Sequence, residues 1–195
     1  MIIGITGGTG CGKTTLLQLI EDLGGMVLDC DAIYHRLLQT DPSLLSAIEA
    51  RFPGTVTNGA LDRKKLGTIV FADKKALEDL NRITHSAVTA EILEQLKTAP
   101  ALTAIDAIGL FESGLDKLCK LTVAVTAPEE DRILRLMARD GISREYAKAR
   151  IAAQPTPEEF SLRCDHTLVN DGSLAAFREK CLAFFADLGI MKEKY

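Results

Sequence analysis

Eight residues near the N-terminus have the types and spacing to hold a phosphate. They are Gly7-Gly8-Thr9-Gly10-Cys11-Gly12-Lys13-Thr14. They fit the phosphate-loop pattern G-x-x-x-x-G-K-[ST]. Glycines permit positive φ and let an anion approach the backbone. Loop N–H groups at Gly8, Thr9, Gly10, Cys11 and Gly12, with the helix start at Lys13, Thr14 and Thr15, form the expected nucleotide cradle. Lys13 is expected to reach the β- and γ-phosphates of a bound nucleotide, and the Thr14 hydroxyl to ligate Mg²⁺.

Acids and arginines supply the rest of a phosphoryl-transfer set. Asp29-Cys30-Asp31 follows a short apolar run. In an extended segment both carboxylates face one side, and Asp31 is the candidate base for an alcohol acceptor. A helix N-cap or a surface turn is the alternative use of these acids. Asp106 ends a second apolar run, either as an Mg²⁺ acid beside Thr14 or as a plain strand-end acid. Arg132, Arg135 and Arg139 are spaced by three and four on one helical face, followed by Arg144 and Arg150. Such a hairpin suits a mobile lid, with Arg139 at its hinge stabilising the transferring group. A solvated helix surface is the plainer reading. His85 caps a helix or contacts an anion. Asn170-Asp171-Gly172 is a turn or the edge of an adenine pocket.

The elements that must position these groups are legible as periodicities. Apolar runs predict five strands, at Ile2–Ile5, Met26–Leu28, Ala101–Ile105, Leu121–Thr126 and His166–Val169. A helix with Leu16, Leu19, Ile20 and Leu23 on one face follows the loop, and Gly24-Gly25 stops it. Asp41-Pro42, Asp62, Pro128-Glu129-Glu130, Ser143 and Ser173 open further helices. Strands alternating with helices imply a parallel α/β sheet, which binds ligands at its strands' carboxyl ends. The stretch from Leu28 to Ala101 is too long for one crossover and reads as an inserted helical lobe.

Composition narrows the class. The 195 residues suffice for one core, with 47% hydrophobic and 26% charged residues. A net charge of −4 argues against nucleic acid as the main partner. The five cysteines have wide spacings and no C-x-x-C, so reduced thiols in the cytoplasm are expected. Cys11 sits near a helix start, a setting that lowers a thiol pKa; a small filler of a variable loop position is the alternative. No apolar run reaches the roughly 18 residues of a membrane span, and the N-terminus lacks a signal-peptide pattern. The polar tail Met191–Tyr195 is expected to fray. Oligomeric state is not legible.

In order along the chain, these residues resemble the dephospho-coenzyme A kinase family. The resemblance rests on Ile5-Thr6-Gly7-Gly8 with Gly12-Lys13-Thr14, on Asp29-Cys30-Asp31, on Leu61-Asp62-Arg63-Lys64-Lys65-Leu66 with Val70-Phe71, and on His85. Leu110-Phe111-Glu112, then Arg135, Arg139 and Arg150 with Gln154, and Asn170-Asp171-Gly172 complete it. It implies ATP-dependent phosphorylation of the ribose 3′-hydroxyl of dephospho-coenzyme A. It implies a P-loop kinase fold of three parts. The nucleotide core spans residues 1–31, 101–137 and 159–190, the substrate lobe 32–100, and the lid 138–158. It supports Asp31 as base, with Lys13 and Arg139 at the transition state. It places Arg135 and Asn170 at the nucleotide, and Thr6, Asp31, His85, Leu110 and Glu112 at the acceptor. Family members usually carry an apolar residue at Thr9, Ser or Ala at Cys11, proline after the histidine where Ser86 stands, and Pro-Leu before Leu110 where Ile108-Gly109 stands.

Two other classes compete. One is another small-molecule or nucleoside monophosphate kinase. The other is a nucleotide-dependent switch, against which the chain offers no N-K-x-D guanine motif.

Overall fold

The computed structural model describes residues 1–190, so the tail 191–195 lies outside the described residues. In chain order the elements are β1 (Ile2–Thr6), α1 (Lys13–Asp22), β2 (Met26–Asp29), α2 (Cys30–Thr40), α3 (Pro42–Arg51), β3 (Val56–Thr57), β4 (Ala60–Leu61), α4 (Arg63–Ala72) and α5 (Lys74–Leu96). They continue as β5 (Thr103–Asp106), a 3₁₀ turn (Leu115–Leu118), β6 (Leu121–Thr126), α6 (Glu129–Asp140), α7 (Arg144–Ala152), α8 (Pro157–Arg163), β7 (His166–Val169) and α9 (Leu174–Asp187). They form two compact units, Met1–Val27 with Ala99–Tyr195, and Leu28–Thr98.

The first unit is built on a five-stranded sheet of order β2-β5-β1-β6-β7. The pairs β1–β5, β1–β6 and β6–β7 are parallel. All five expected strands form, with β5 starting two residues later than its apolar run and ending at Asp106. The central strands are continuous apolar runs because both faces are covered. Ile3, Ile5, Val123 and Val125 are fully inaccessible. They share one core with Leu16 and Ile20 of α1 and with Phe177, Cys181 and Phe185 of α9. A second, small core of Ile133, Leu136, Ala147 and Ile151 holds α6 against α7. Register places Asp106 abreast of Ile5, so β5 delivers a carboxylate where β1 hands over to the glycine loop.

The second unit is mainly helical, as expected. Asp41, Asp62 and Asp73 each cap a helix by accepting a backbone N–H. Helix α5 runs 23 residues and packs against α2, α3 and α4. Ile48, Phe52 and Ile92 are buried at the centre. Sequence periodicity missed the hairpin β3–β4 here. Its signal was Asn58-Gly59, whose φ values of 52° and 74° form the two-residue turn that such a ribbon needs. It also missed α8, which opens with a Thr156/Glu159 capping box.

Candidate active site

Loop residues 7–12 join β1 to α1. Gly12 precedes α1 with φ 99° and offers no side-chain cap. The first-turn N–H groups therefore present their partial positive charge without a carboxylate or hydroxyl over them. That end is where an anion binds. Lys13 folds back over the loop. Its Nζ donates to the Gly7 carbonyl at 3.0 Å and lies 4.0 Å from Asp106 Oδ1. Thr14 is exposed and Thr15 half-buried beside it. Lys13 and Asp106 thus stand side by side at the start of α1.

The glycines do something the motif did not predict. Their missing side chains leave room for protein as well as for phosphate. A Cβ on Gly8 would lie 2.3 Å from Arg132 Nη2, and one on Gly12 would lie 2.2 Å from Asn170 Nδ2. A Cβ on Gly10 would lie 2.9 Å from the Arg132 carbonyl oxygen. Helix α6 and the turn after β7 are pressed onto the loop.

Hydrogen bonds hold that contact. Arg132 Nε donates to the Thr9 carbonyl at 2.9 Å. Arg135 Nη1 donates to the Gly10 carbonyl at 3.2 Å, and its Nη2 to the Asn170 carbonyl at 3.5 Å. Asn170, itself buried, donates Nδ2 to the Cys11 carbonyl at 3.0 Å. From the far end of α7, Gln154 Oε1 accepts the Thr9 N–H at 2.7 Å. Arg132 and Arg135 therefore brace the loop in this structure. Their spacing had suggested a free lid face. The only sequence sign of this bracing was glycine at Gly8 and Gly10, where the pattern demands none.

Arg139 departs from its helix mates. It is largely exposed and paired bidentately with Asp140, at 2.7 and 3.0 Å. Arg150 donates to the same carboxylate at 2.7 Å. The Arg139 hydrogen bonds first, and then Arg150, draw the Asp140 carboxyl down to about 2. Ser143 caps α7, which stops at Ala152, two residues short of Gln154.

Several expectations need correction. Cys11 is buried, and loss of hydration pushes its thiol pKa up despite the nearby charges of Lys13 and Arg132. It is a buried filler of the loop, and all five cysteines are free thiols. Thr6 and Leu110 are inaccessible, so neither touches an acceptor in this conformation. The Thr6 hydroxyl donates to the Ile108 carbonyl at 3.1 Å, and Leu110 fills the space over Gly4. Glu112 is exposed and paired with Arg163, whose guanidinium lies 4.4 Å from the centre of the Phe111 ring.

In the second unit Asp29 and Asp31 do not share an extended face. Helix α2 begins at Cys30, and Asp29 caps it by accepting the Ala32 N–H at 2.9 Å. Asp31 lies exposed in the first helical turn. His85 caps nothing: it sits half-buried in the middle of α5. Ser86 keeps the backbone N–H that a proline would lack, so the helix runs through. Among the described residues no three His, Cys, Asp or Glu cluster as a metal site. No helix among them is long and apolar enough to cross a membrane.

This geometry can now be set beside known proteins. A family model described as Dephospho-CoA kinase matches residues 1–176. A dephospho-CoA kinase of Thermus thermophilus is 38% identical, over 96% of this chain and 92% of its own. One of Symbiobacterium thermophilum is 39% identical, over 92% of this chain and 81% of its own. A solved dephospho-CoA kinase of Campylobacter jejuni superposes with a TM-score of 0.67 at 31% identity, covering 97% of this chain and 98% of that one. A shikimate kinase of Bacteroides thetaiotaomicron, at 14% identity and a TM-score of 0.52 over 98% of this chain and 99% of its own, shares the fold alone. The chain belongs to the dephospho-CoA kinase family, the phosphotransferases of the last step of coenzyme A synthesis.

Proposed function

We propose that Lys13, Asp31 and Arg139 carry the family reaction in this chain, transfer of the γ-phosphoryl group of ATP to the ribose 3′-hydroxyl of dephospho-coenzyme A. The observation that carries this reading is the uncapped start of α1 with Lys13 folded over it. A triphosphate laid there meets backbone N–H groups and a lysine within one loop. Arg135 and Asn170 hold the carbonyl side of that loop and so fix where its N–H groups point.

Asp31 takes the proton of the attacking hydroxyl. Both acids are exposed, and its neighbour Asp29 is committed to capping α2, which leaves Asp31 as the acid of the pair not used as a cap. His85 and Glu112 help to seat the acceptor. Thr6 and Leu110 act from the core by shaping the segment 108–112. Arg139 exchanges Asp140 for the transferring group as the segment 138–158 closes. The remainder divides into the nucleotide core (1–31, 101–137, 159–190) and the substrate lobe (32–100). Thr14 and Asp106 are hard oxygen donors near Lys13 and would hold Mg²⁺. That ion would neutralise charge on the phosphates. Free thiols suit a reducing cytoplasm, and the acceptor is a small molecule.

The test is ATP consumption by the purified chain with Mg²⁺, with and without dephospho-coenzyme A, with the product identified by mass. Acceptor-dependent ADP together with the 3′-phosphorylated product is expected. ADP formed without acceptor would point to a switch or to another acceptor. Asp31→Asn is expected to lower kcat by roughly 10²–10⁴ while ATP binding is retained. An unchanged rate would return Asp31 to a structural role in α2.

A further inference from the structure

Arg132 is a buried cation without a counter-ion. Only 3% of it is exposed. Its hydrogen-bond acceptors are neutral: the Thr9 carbonyl at 2.9 Å and Gln154 Oε1 at 3.5 Å. Among the described residues no carboxylate lies within the 4.0 Å of an ion pair with it. Loss of hydration lowers its pKa, opposed by Cys11 and then Glu129. A buried guanidinium held by neutral oxygens is costly to keep, and such a charge is ordinarily matched by an anion.

Gln154 shows where that anion goes. Its Oε1 accepts from two donors at once, the Thr9 N–H at 2.7 Å and Arg132 Nη2 at 3.5 Å. A loop amide and a guanidinium converging on one oxygen are the donor set of a phosphate oxygen. Thr9 is at the end of the loop away from α1, whose first turn takes the inner phosphates, while Lys13 spans the β- and γ-phosphates. The oxygens of the outer phosphate that Lys13 does not reach are left for Thr9 and Arg132.

We infer that Gln154 Oε1 stands in for a terminal phosphate oxygen of the nucleotide, and that a nucleoside triphosphate displaces it to pair with the Thr9 N–H and the Arg132 guanidinium. A diphosphate lacks the group that reaches this pair, so it leaves Gln154 in place. Arg132 and Gln154 thereby distinguish ATP from ADP. Displacing Gln154 also unties the end of α7 from the loop when ATP is bound. This inference rests on the nucleotide-site reading above.

Calorimetric titration of the purified chain with β,γ-imido-ATP and with ADP, in Mg²⁺, tests it. Arg132→Met is expected to weaken triphosphate binding by at least about tenfold more than ADP binding, which shares only the loss of the Arg132–Thr9 brace. Gln154→Ala removes the competitor and is expected to tighten triphosphate binding severalfold, with ADP unmoved. Gln154→Glu installs an anionic competitor and is expected to weaken the triphosphate alone. Equal weakening of both nucleotides by Arg132→Met, or none, overturns the inference. So does unchanged or weaker triphosphate binding by Gln154→Ala. If Arg132→Met does not fold by thermal melting, Arg132→Lys replaces it. Lysine keeps the charge but cannot bridge two acceptors in the same plane, and an unmoved ATP-to-ADP ratio then overturns the inference. Failure of the wild-type chain to bind either nucleotide would instead sink the nucleotide-site reading itself.

Discussion

Two groups of cations in the first unit stand in contrast, one at the glycine loop and one at the α6–α7 bend. At the loop, Lys13, Arg132 and Arg135 bond chiefly to carbonyl oxygens, of Gly7, Thr9 and Gly10. Carboxylates there stand at the outer limit of an ion pair, 4.0 Å from Lys13 and 3.9 Å from Arg135. At the bend, Arg139 and Arg150 share the Asp140 carboxylate, and Arg144 pairs with Glu130 at 2.8 Å. A carbonyl fixes a cation's direction and leaves its charge in place. A carboxylate fixes the direction and cancels the charge. The loop keeps its cations uncommitted to carboxylates at hydrogen-bond distance, while at the bend each arginine is tied to a carboxylate, two of them to Asp140, and must exchange partners before it can act. One helix, α6, carries both kinds of arginine, so position along the helix matters more here than shared face.

Lys13→Ala breaks the loop group most severely. Turnover is expected to fall by roughly 10³-fold or more, with the thermal midpoint little changed. Near-normal kcat would remove the loop from the chemistry. Arg139→Ala probes the bend and is expected to lower kcat by roughly 10²-fold, less than Lys13→Ala, because some of its interaction must first be won back from Asp140. A loss equal to that of Lys13→Ala would show that pairing at the bend costs the working enzyme nothing. An equal loss of stability and rate would make Arg139 structural. Arg135→Ala is expected to raise the KM for ATP by roughly tenfold with kcat nearly held, since Arg135 orients loop carbonyls. A kcat effect without a KM effect would place it at the transferring group instead.

The two groups also differ in how far the sequence announced them. The loop lysine was legible because a catalytic phosphate loop fixes residue type and spacing at once, and the strand and helix periods around it agree. The central strands β1, β5 and β6 were legible because their runs are short and almost wholly buried, while the edge strands β2 and β7 are more exposed. Arg132 was visible only as a member of a stripe, while Arg135 was marked also by the family resemblance. Their partners are backbone carbonyls more than 100 residues away in sequence, and a carbonyl leaves no mark on residue identity. Gly8 and Gly10 were the indirect mark, a missing Cβ where another element presses in. The extended reading of Asp29 and Asp31 failed because Asp29 is itself a good N-cap, and its bond to the Ala32 N–H starts α2 one residue after it. The capping alternative for His85 failed for the converse reason. Without proline after it, nothing stops α5 from propagating through.

The smallest effect is the most direct check on the bend. Asp140 has a folded-state carboxyl pKa of about 2, below the ordinary 3.8, because Arg139 and Arg150 donate to its charged form. Ionisation is thus easier in the folded chain than in the unfolded one. The group adds stability at and above its ordinary value and loses that contribution as pH falls from 3.8 toward about 2. Asp140→Asn should lower the melting temperature slightly near neutral pH. The gap from wild type should close across that acid window, where wild-type Asp140 also becomes neutral. Melting curves at a series of acid pH values read this out. The site is exposed and screened by solvent, so the gap is small, and salt should shrink it further. A gap that stays constant with pH would mean that the carboxylate is not held by the two arginines in solution. Arg139 would then be free before any nucleotide arrives, and the contrast between loop and bend would disappear.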